Sequence, residues 1–214
     1  MLLPEELLLL IYDDETGKSL LDSTRRPAAV AGAAVLDLVL NGALVIAEED
    51  GLVGKKQVFR PTGTAVPNHP LMQEVLAKVD GKKPKNAVSE VAGISSFSNL
   101  ANNLSKSLLH EMANAGLLRV ELHGIFNRER FPASDGRHEA EIRRQLEEAL
   151  SGTAQPTVRT AGLIALLRAT DALPKVFPNW DKGELKRRAT AISEGDWAGK
   201  AVKDAVQEME AVMI

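Results

Sequence analysis

Apolar residues recur along the chain mostly at helical spacing, and proline, glycine and short polar runs cut that pattern into segments. Pro4, Glu5 and Glu6 stand before Leu7 to Ile11, so a short helix is expected there, with proline and acids suited to its first turn. Asp13-Asp14-Glu15-Thr16-Gly17 reads as a polar turn. Ser23 and Thr24 offer N-cap oxygens ahead of Pro27, and the apolar stripe of Ala28 to Asn41, ending at Gly42, predicts a central buried helix in which only Asp37 is charged. Alternation then predicts a hairpin, with strands Ala43 to Ala47 and Gln57 to Arg60 around a polar turn from Glu48 to Lys56, where Gly51 and Gly54 would serve as turn residues.

Pro61 to Pro70 reads as loop and Leu71 to Val79 as a short amphipathic helix. Asp80 to Lys85, with Gly81, Pro84 and three lysines, reads as a flexible basic segment. A helix from about Phe97 to Ala115 is expected to end at Gly116, with Ser95, Ser96 and Ser98 as caps at its start. Leu117 to Leu122 and Ile125 to Phe131 predict a second hairpin, followed by a polar turn at Ala133 to Arg137. Glu139 to Leu150, Thr157 to Leu173, Lys182 to Ile192 and Trp197 to Val212 all carry helical spacing, punctuated by Gly152, Pro156, Pro174, Pro178 and Gly195. The expected fold is therefore mainly α: one helical domain spanning residues 1–214, with amphipathic helices packed around a buried helical core and two β-hairpins.

Composition sharpens this picture. With 214 residues, 44% apolar and only 4% aromatic, the core must be built from Leu, Val, Ala and Ile, which suits packed helices better than a β-sandwich. Cysteine is absent, which excludes a disulfide scaffold, a thiolate-held zinc and a thiol nucleophile, and fits a cytoplasmic location. Glu5 and Glu6 interrupt the N-terminal leucines and no basic stretch precedes them, so that segment does not read as a signal peptide. No apolar run approaches the roughly 20 residues that span a bilayer, so membrane contact is expected at the surface only. A net charge of −3 argues against non-specific nucleic-acid binding.

Four segments resemble one family in order and spacing. These are Glu5 to Leu10 with the acidic turn Asp13 to Gly17 behind it, Gly32 to Gly42, Leu108 to Leu118 with its break at Gly116, and Ala161 to Phe177 containing Ala169-Thr170-Asp171-Ala172-Leu173. Together they resemble the Golgi phosphoprotein 3-like family, and the alanine- and leucine-rich composition points to a bacterial member, which would have no Golgi. The resemblance implies a helical, non-enzymatic, peripheral membrane or adaptor protein. In eukaryotic members it further implies recognition of phosphatidylinositol 4-phosphate and of cytoplasmic protein tails.

Carried over residue by residue, the known lipid site is changed. The family tryptophan falls near Asp22, one arginine at Ala31, and two helical arginines near Asn102 and Ser105. Arg25, Arg26 and Lys106 lie close in sequence to those positions and are the candidates for a substitute anionic-headgroup site; the competing reading makes them solvated surface charges. Family members also use a projecting hairpin for oligomerisation, for which Leu122, Ile125 and Phe126 are candidates here.

Other chemistry is thinly represented. His110-Glu111 and His138-Glu139 lack a second histidine at zinc-protease spacing, the four histidines are scattered, and no nucleophile elbow or phosphate-binding glycine fingerprint is present. No catalytic residue, metal site or cofactor is expected. A rival reading takes Asn86 to Gly93, the following helix and the second hairpin as a winged helix, with Asn99, Asn102 and Asn103 reading bases and Arg128 and Arg130 on the wing. A self-associating interaction scaffold is a third. Trp180 and Trp197 are either core plugs or interfacial anchors, with Trp180 the better candidate for exposure.

Overall fold

The computed structural model describes residues 1–50, 54–63, 68–94, 99–195 and 198–213. Among them lie ten helices and two antiparallel hairpins. The N-terminal half holds α1 (Leu3–Ile11), α2 (Arg25–Leu40), β1 (Leu44–Asp50), β2 (Lys55–Pro61), α3 (Pro70–Val79), α4 (Pro84–Ala92) and α5 (Leu100–Asn114). The second hairpin, β3 (Glu121–His123) with β4 (Arg128–Arg130), precedes α6 (Arg137–Ser151), α7 (Val158–Ala169), α8 (Leu173–Val176), α9 (Lys182–Glu194) and α10 (Lys200–Glu210). The mainly helical class with two hairpins is thus present. The Ser95, Ser96 and Ser98 caps, the Phe97 helix start, Gly51 and Trp197 lie outside the described residues.

α2 is the centre of the packing. All but its ends are buried, and α1, α3, α4, α5, α7 and α10 pack around it. α7 packs tightly against it at Gly162, where a methyl group would collide with Leu36. The single buried charge on α2 explains how the N-terminal helix docks. Asp37 is fully buried and accepts hydrogen bonds from the Leu3 amide (2.8 Å), Asn41 Nδ2 (2.9 Å) and Arg159 Nη1 (3.3 Å). Arg159 on α7 also grips both Glu6 oxygens at 2.9 Å and donates to the Met1 carbonyl. One carboxylate thereby satisfies a free helix-end N–H and fixes α1, α2 and α7 together.

Several expectations are corrected. The cap of α2 is Asp22, whose Oδ1 accepts from the Thr24 and Arg25 amides; neither Ser23 nor Thr24 caps it. Asp80 to Lys85 is not a free segment: Gly81 donates to the Phe59 carbonyl, the Phe59 amide donates to Lys82, and Pro84 begins α4. The Thr157 to Leu173 helix stops at Ala169, where the Thr170 hydroxyl bonds back to Leu166 and Asp171 takes a left-handed conformation (φ 53°). Pro174 then opens α8. Strands of the second hairpin are shorter than the pattern predicted, and Ile125 and Phe126 fall in the turn between them. Trp180 is half-buried against the core, its indole N–H on Glu147 and Arg188 over its ring, so it is not an exposed anchor.

The acidic turn after α1 clamps the base of that hairpin. Asp13 Oδ1 accepts from the Thr16 amide and hydroxyl, Asp14 O accepts from the Ala133 amide, and Gly17 O from the Phe131 amide. Gly17 has φ +61°, and a side chain there would strike the Phe131 and Pro132 backbone, so only glycine fits. Beside this clamp, Glu139 on α6 is buried, held by Arg143, which also donates to the Val176 carbonyl. One Glu139 oxygen has no hydrogen-bond partner. Burial pushes its carboxyl up to about 7; the Asp14 carboxyl adds to the shift and Arg143 offsets part of it.

Two outcomes follow from these buried acids. Asp37→Ala leaves the Leu3 amide and Arg159 without their acceptor and should cost about 2–4 kcal/mol in urea unfolding. Asp37→Asn, which keeps an acceptor, should cost less. Because the folded Glu139 carboxyl titrates above its unfolded value of 4.5, its stabilising contribution is full below about pH 4.5 and lost as pH rises through about 7. The unsubstituted protein should therefore show a fall in Tm between about pH 5 and pH 8 that thermal melts of Glu139→Gln lack.

Candidate functional site: a basic depression under the second hairpin

α5 is amphipathic. Leu100, Ala101, Leu104, Ser105, Leu108, Leu109 and Met112 are buried, which leaves Asn102, Asn103 and Lys106 on its outer face. β4 folds back over that face. Glu129 on β4 places one carboxylate oxygen 3.3 Å from Lys106 Nζ and the other 3.3 Å from His110 Nε2. Lys106 donating to it, and the positive charges around it, hold the Glu129 carboxyl below its usual range.

Between α5, the start of α2 and this hairpin lies an open depression of about 510 Å³. Its cations are Arg26, Lys106 and Arg128, and its acid is Glu129. Among the described residues neither Arg26 nor Arg128 carries an ion pair, so two guanidinium groups face the space with free donors. Ser23, Asn102 and the buried Ser105 add neutral donors and acceptors. Tyr12 and Phe131 form an aromatic wall, with ring centroids 6.2 Å apart and edge to face, and His110 meets Phe131 at 5.3 Å. The arrangement can hold an anion about the size of a phosphorylated headgroup: guanidinium forks grip phosphate oxygens, and flat rings shield one side from water.

The sequence candidates are only partly brought together. Arg26 and Lys106 share the depression, but Arg25 does not. Successive helical residues point about 100° apart, and Arg25 turns to pair with Asp171 at 3.2 Å beside a separate hollow lined by Asp22, Ile94, Val212 and Met213. Asp22 sits in that second hollow as the α2 cap, so it does not oppose a ligand in the basic depression. Ala31 is buried in the core and faces neither space. Asn102 and Ser105, the other two altered positions, do line the basic depression. Arg128, Tyr12 and Phe131 were not legible as members of this site. Only the hairpin's fold-back over α5, set by the Gly17 clamp and the Glu129 contacts, brings them in.

At the hairpin's far end Leu122, Ile125 and Phe126 project into solvent, Ile125 at 91% exposure and Phe126 at 77%. Gly124 and Asn127 supply the positive φ values of the turn. Among the described residues no helix is long and apolar enough to cross a membrane, and no three His, Asp or Glu side chains gather as a metal site.

No curated protein matches the chain. The family model described as Golgi phosphoprotein 3 (GPP34) matches residues 3–209, nearly the whole chain. The protein belongs to the Golgi phosphoprotein 3 (GPP34) family.

Proposed function

We propose that this protein is a non-enzymatic adaptor that docks on the cytoplasmic surface of a membrane. Its basic depression would hold an anionic lipid headgroup, and its second hairpin would dip into the lipid interface. The observation that carries this reading is the convergence of Arg26, Lys106 and Arg128 at the root of a hairpin whose tip exposes Leu122, Ile125 and Phe126. Charge near a headgroup plane contributes about 1 kcal/mol per cation, and an inserted phenylalanine and isoleucine add apolar burial. Neither alone anchors a protein firmly; on one face they act together.

The headgroup contacts would differ from those of the eukaryotic relatives, because the positions that carry tryptophan and arginines there hold Asp22, Ala31, Asn102 and Ser105 here. Recognition of a general anionic headgroup therefore fits these residues better than strict selection of one phosphoinositide. A DNA-reading role fits less well. Lys106, the cation on the outward face of α5, is tied to Glu129, and phosphate contacts supply most of such affinity. Self-association through the hairpin tip uses the same exposed residues and is read out in the same experiment.

Co-sedimentation with neutral vesicles, with anionic vesicles and with vesicles containing phosphatidylinositol 4-phosphate tests this reading. Binding to the anionic vesicles, weakening with salt, is expected. Arg26→Ala with Arg128→Ala should weaken it roughly 30-fold, the equivalent of about 2 kcal/mol. Glu129→Gln frees Lys106 of its internal carboxylate and should tighten binding several-fold. Ile125→Ser with Phe126→Ser should reduce binding while leaving the salt dependence unchanged. Vesicle binding that ignores both the arginine pair and the tip pair overturns the reading. A change in sedimentation coefficient on substituting the tip, without loss of vesicle binding, assigns the tip to self-association instead.

A further inference from the structure

A second cleft, on different elements, has its own charge pattern. It lies between the end of α7, α8 and the first turns of α9, with a volume of about 190 Å³. Its floor is apolar: Leu173 and Leu185 are buried, and Pro174 completes the surface. Arg168, Lys182 and Lys186 stand around it. Asp171, the acid in its lining, is engaged by Arg25 at 3.2 Å, so the cations dominate the local field.

Pairing on α9 is uneven. Glu184 binds both Arg187 and Arg188, and Arg188 also donates to the Leu150 carbonyl. Lys182 and Lys186 have no ion pair among the described residues. They stand four residues apart, with Leu185 on the same helical face, which places two like charges together at an unfavourable spacing. Both line the cleft. Opposite them, Arg168 contacts Glu210 through Nη2 at 2.5 Å, while its buried Nε–H has no acceptor. The N-terminal end of α9 is already capped, Asp181 Oδ1 accepting from the Glu184 amide at 2.8 Å, so the lysines rather than the helix end supply the charge. Two lysines with unused donors, with the Arg168 guanidinium beside them, therefore line an apolar-floored space of about 190 Å³.

We propose that this cleft binds a small organic anion, a phosphate or carboxylate joined to a short apolar group. The anion bridges Lys182, Lys186 and the Arg168 edge, and the apolar group lies on Leu173, Pro174 and Leu185. The site shares no lining residue with the depression under the hairpin, so it stands whether or not the membrane reading holds. It places a soluble or acyl-bearing ligand on α7 and α9 while the hairpin face remains open.

Titration with n-butyl phosphate, followed by amide NMR shifts, tests it. Saturable shifts at Leu173, Leu185 and Lys186 are expected, with inorganic phosphate at least tenfold weaker and butanol silent. Lys182→Ala with Lys186→Ala removes only exposed side chains and should keep the helical circular dichroism while weakening butyl phosphate at least tenfold. Arg187→Ala, whose arginine is held by Glu184, should leave the affinity unchanged. Shifts absent at millimolar ligand, equal affinity for inorganic phosphate, or an undiminished affinity in the lysine double variant each overturn the proposal.

Discussion

A carboxylate with no access to water must find partners inside the protein, and the partners of Asp37 organise this fold. An unpaired charge in that position would be far too costly to fold around, so the Leu3 amide, Asn41 and Arg159 are each held to it. Through them the N-terminal helix is tied to the central helix and to α7. Apolar packing around α2 alone is non-directional and would tolerate sliding of smooth leucine and alanine surfaces. The hydrogen bonds to Asp37 set one register. Arg159 extends it to Glu6, whose carboxyl is pushed up by burial and only partly brought back by the guanidinium.

With α1 placed, the turn that follows it is placed too, and that turn decides where the second hairpin points. Asp14 and Gly17 carry the backbone contacts to residues 131 and 133, and the absence of a side chain at Gly17 lets the chains approach closely. Leaning over α5, the hairpin brings Glu129 to Lys106 and His110, and Arg128 to the rim. The depression is thus built from α1, α2, α5 and β4, and none of these elements holds it alone. Glu129 engages Lys106 at the edge of that space.

The overall charge of −3 conceals this local arrangement. Acids are spent on pairing within helices, as with Glu141 and Glu148 around Arg144 or Glu184 around two arginines. Among the cations without an ion pair in the described residues, Arg26 and Arg128 line one hollow and Lys182 and Lys186 the other. Net charge governs long-range behaviour, whereas a binding surface depends on which cations remain unpartnered at short range.

Much of the fold was legible in the sequence because helical periodicity, prolines and glycines are local signals. The central helix, both hairpins and the mainly helical class were read from them, as was the family, whose motifs are spread along the chain. The site was legible only in part. Arg26 and Lys106 could be named from their nearness to altered positions, yet Arg25 looked equivalent to Arg26 until the helix turned it toward Asp171. The cap of α2 went to Asp22, because its carboxylate, one atom longer than a hydroxyl side chain, reaches forward to accept from the Thr24 and Arg25 amides. Arg128, Tyr12 and Phe131 join the depression through contacts over long stretches of chain, and no local pattern encodes those. Sequence by itself determined most of the helical segments and their apolar faces, since periodicity and backbone preference are local. Tertiary structure alone decided which charges meet, because a helix rotation of about 100° per residue and a hairpin's lean separate neighbours and join strangers.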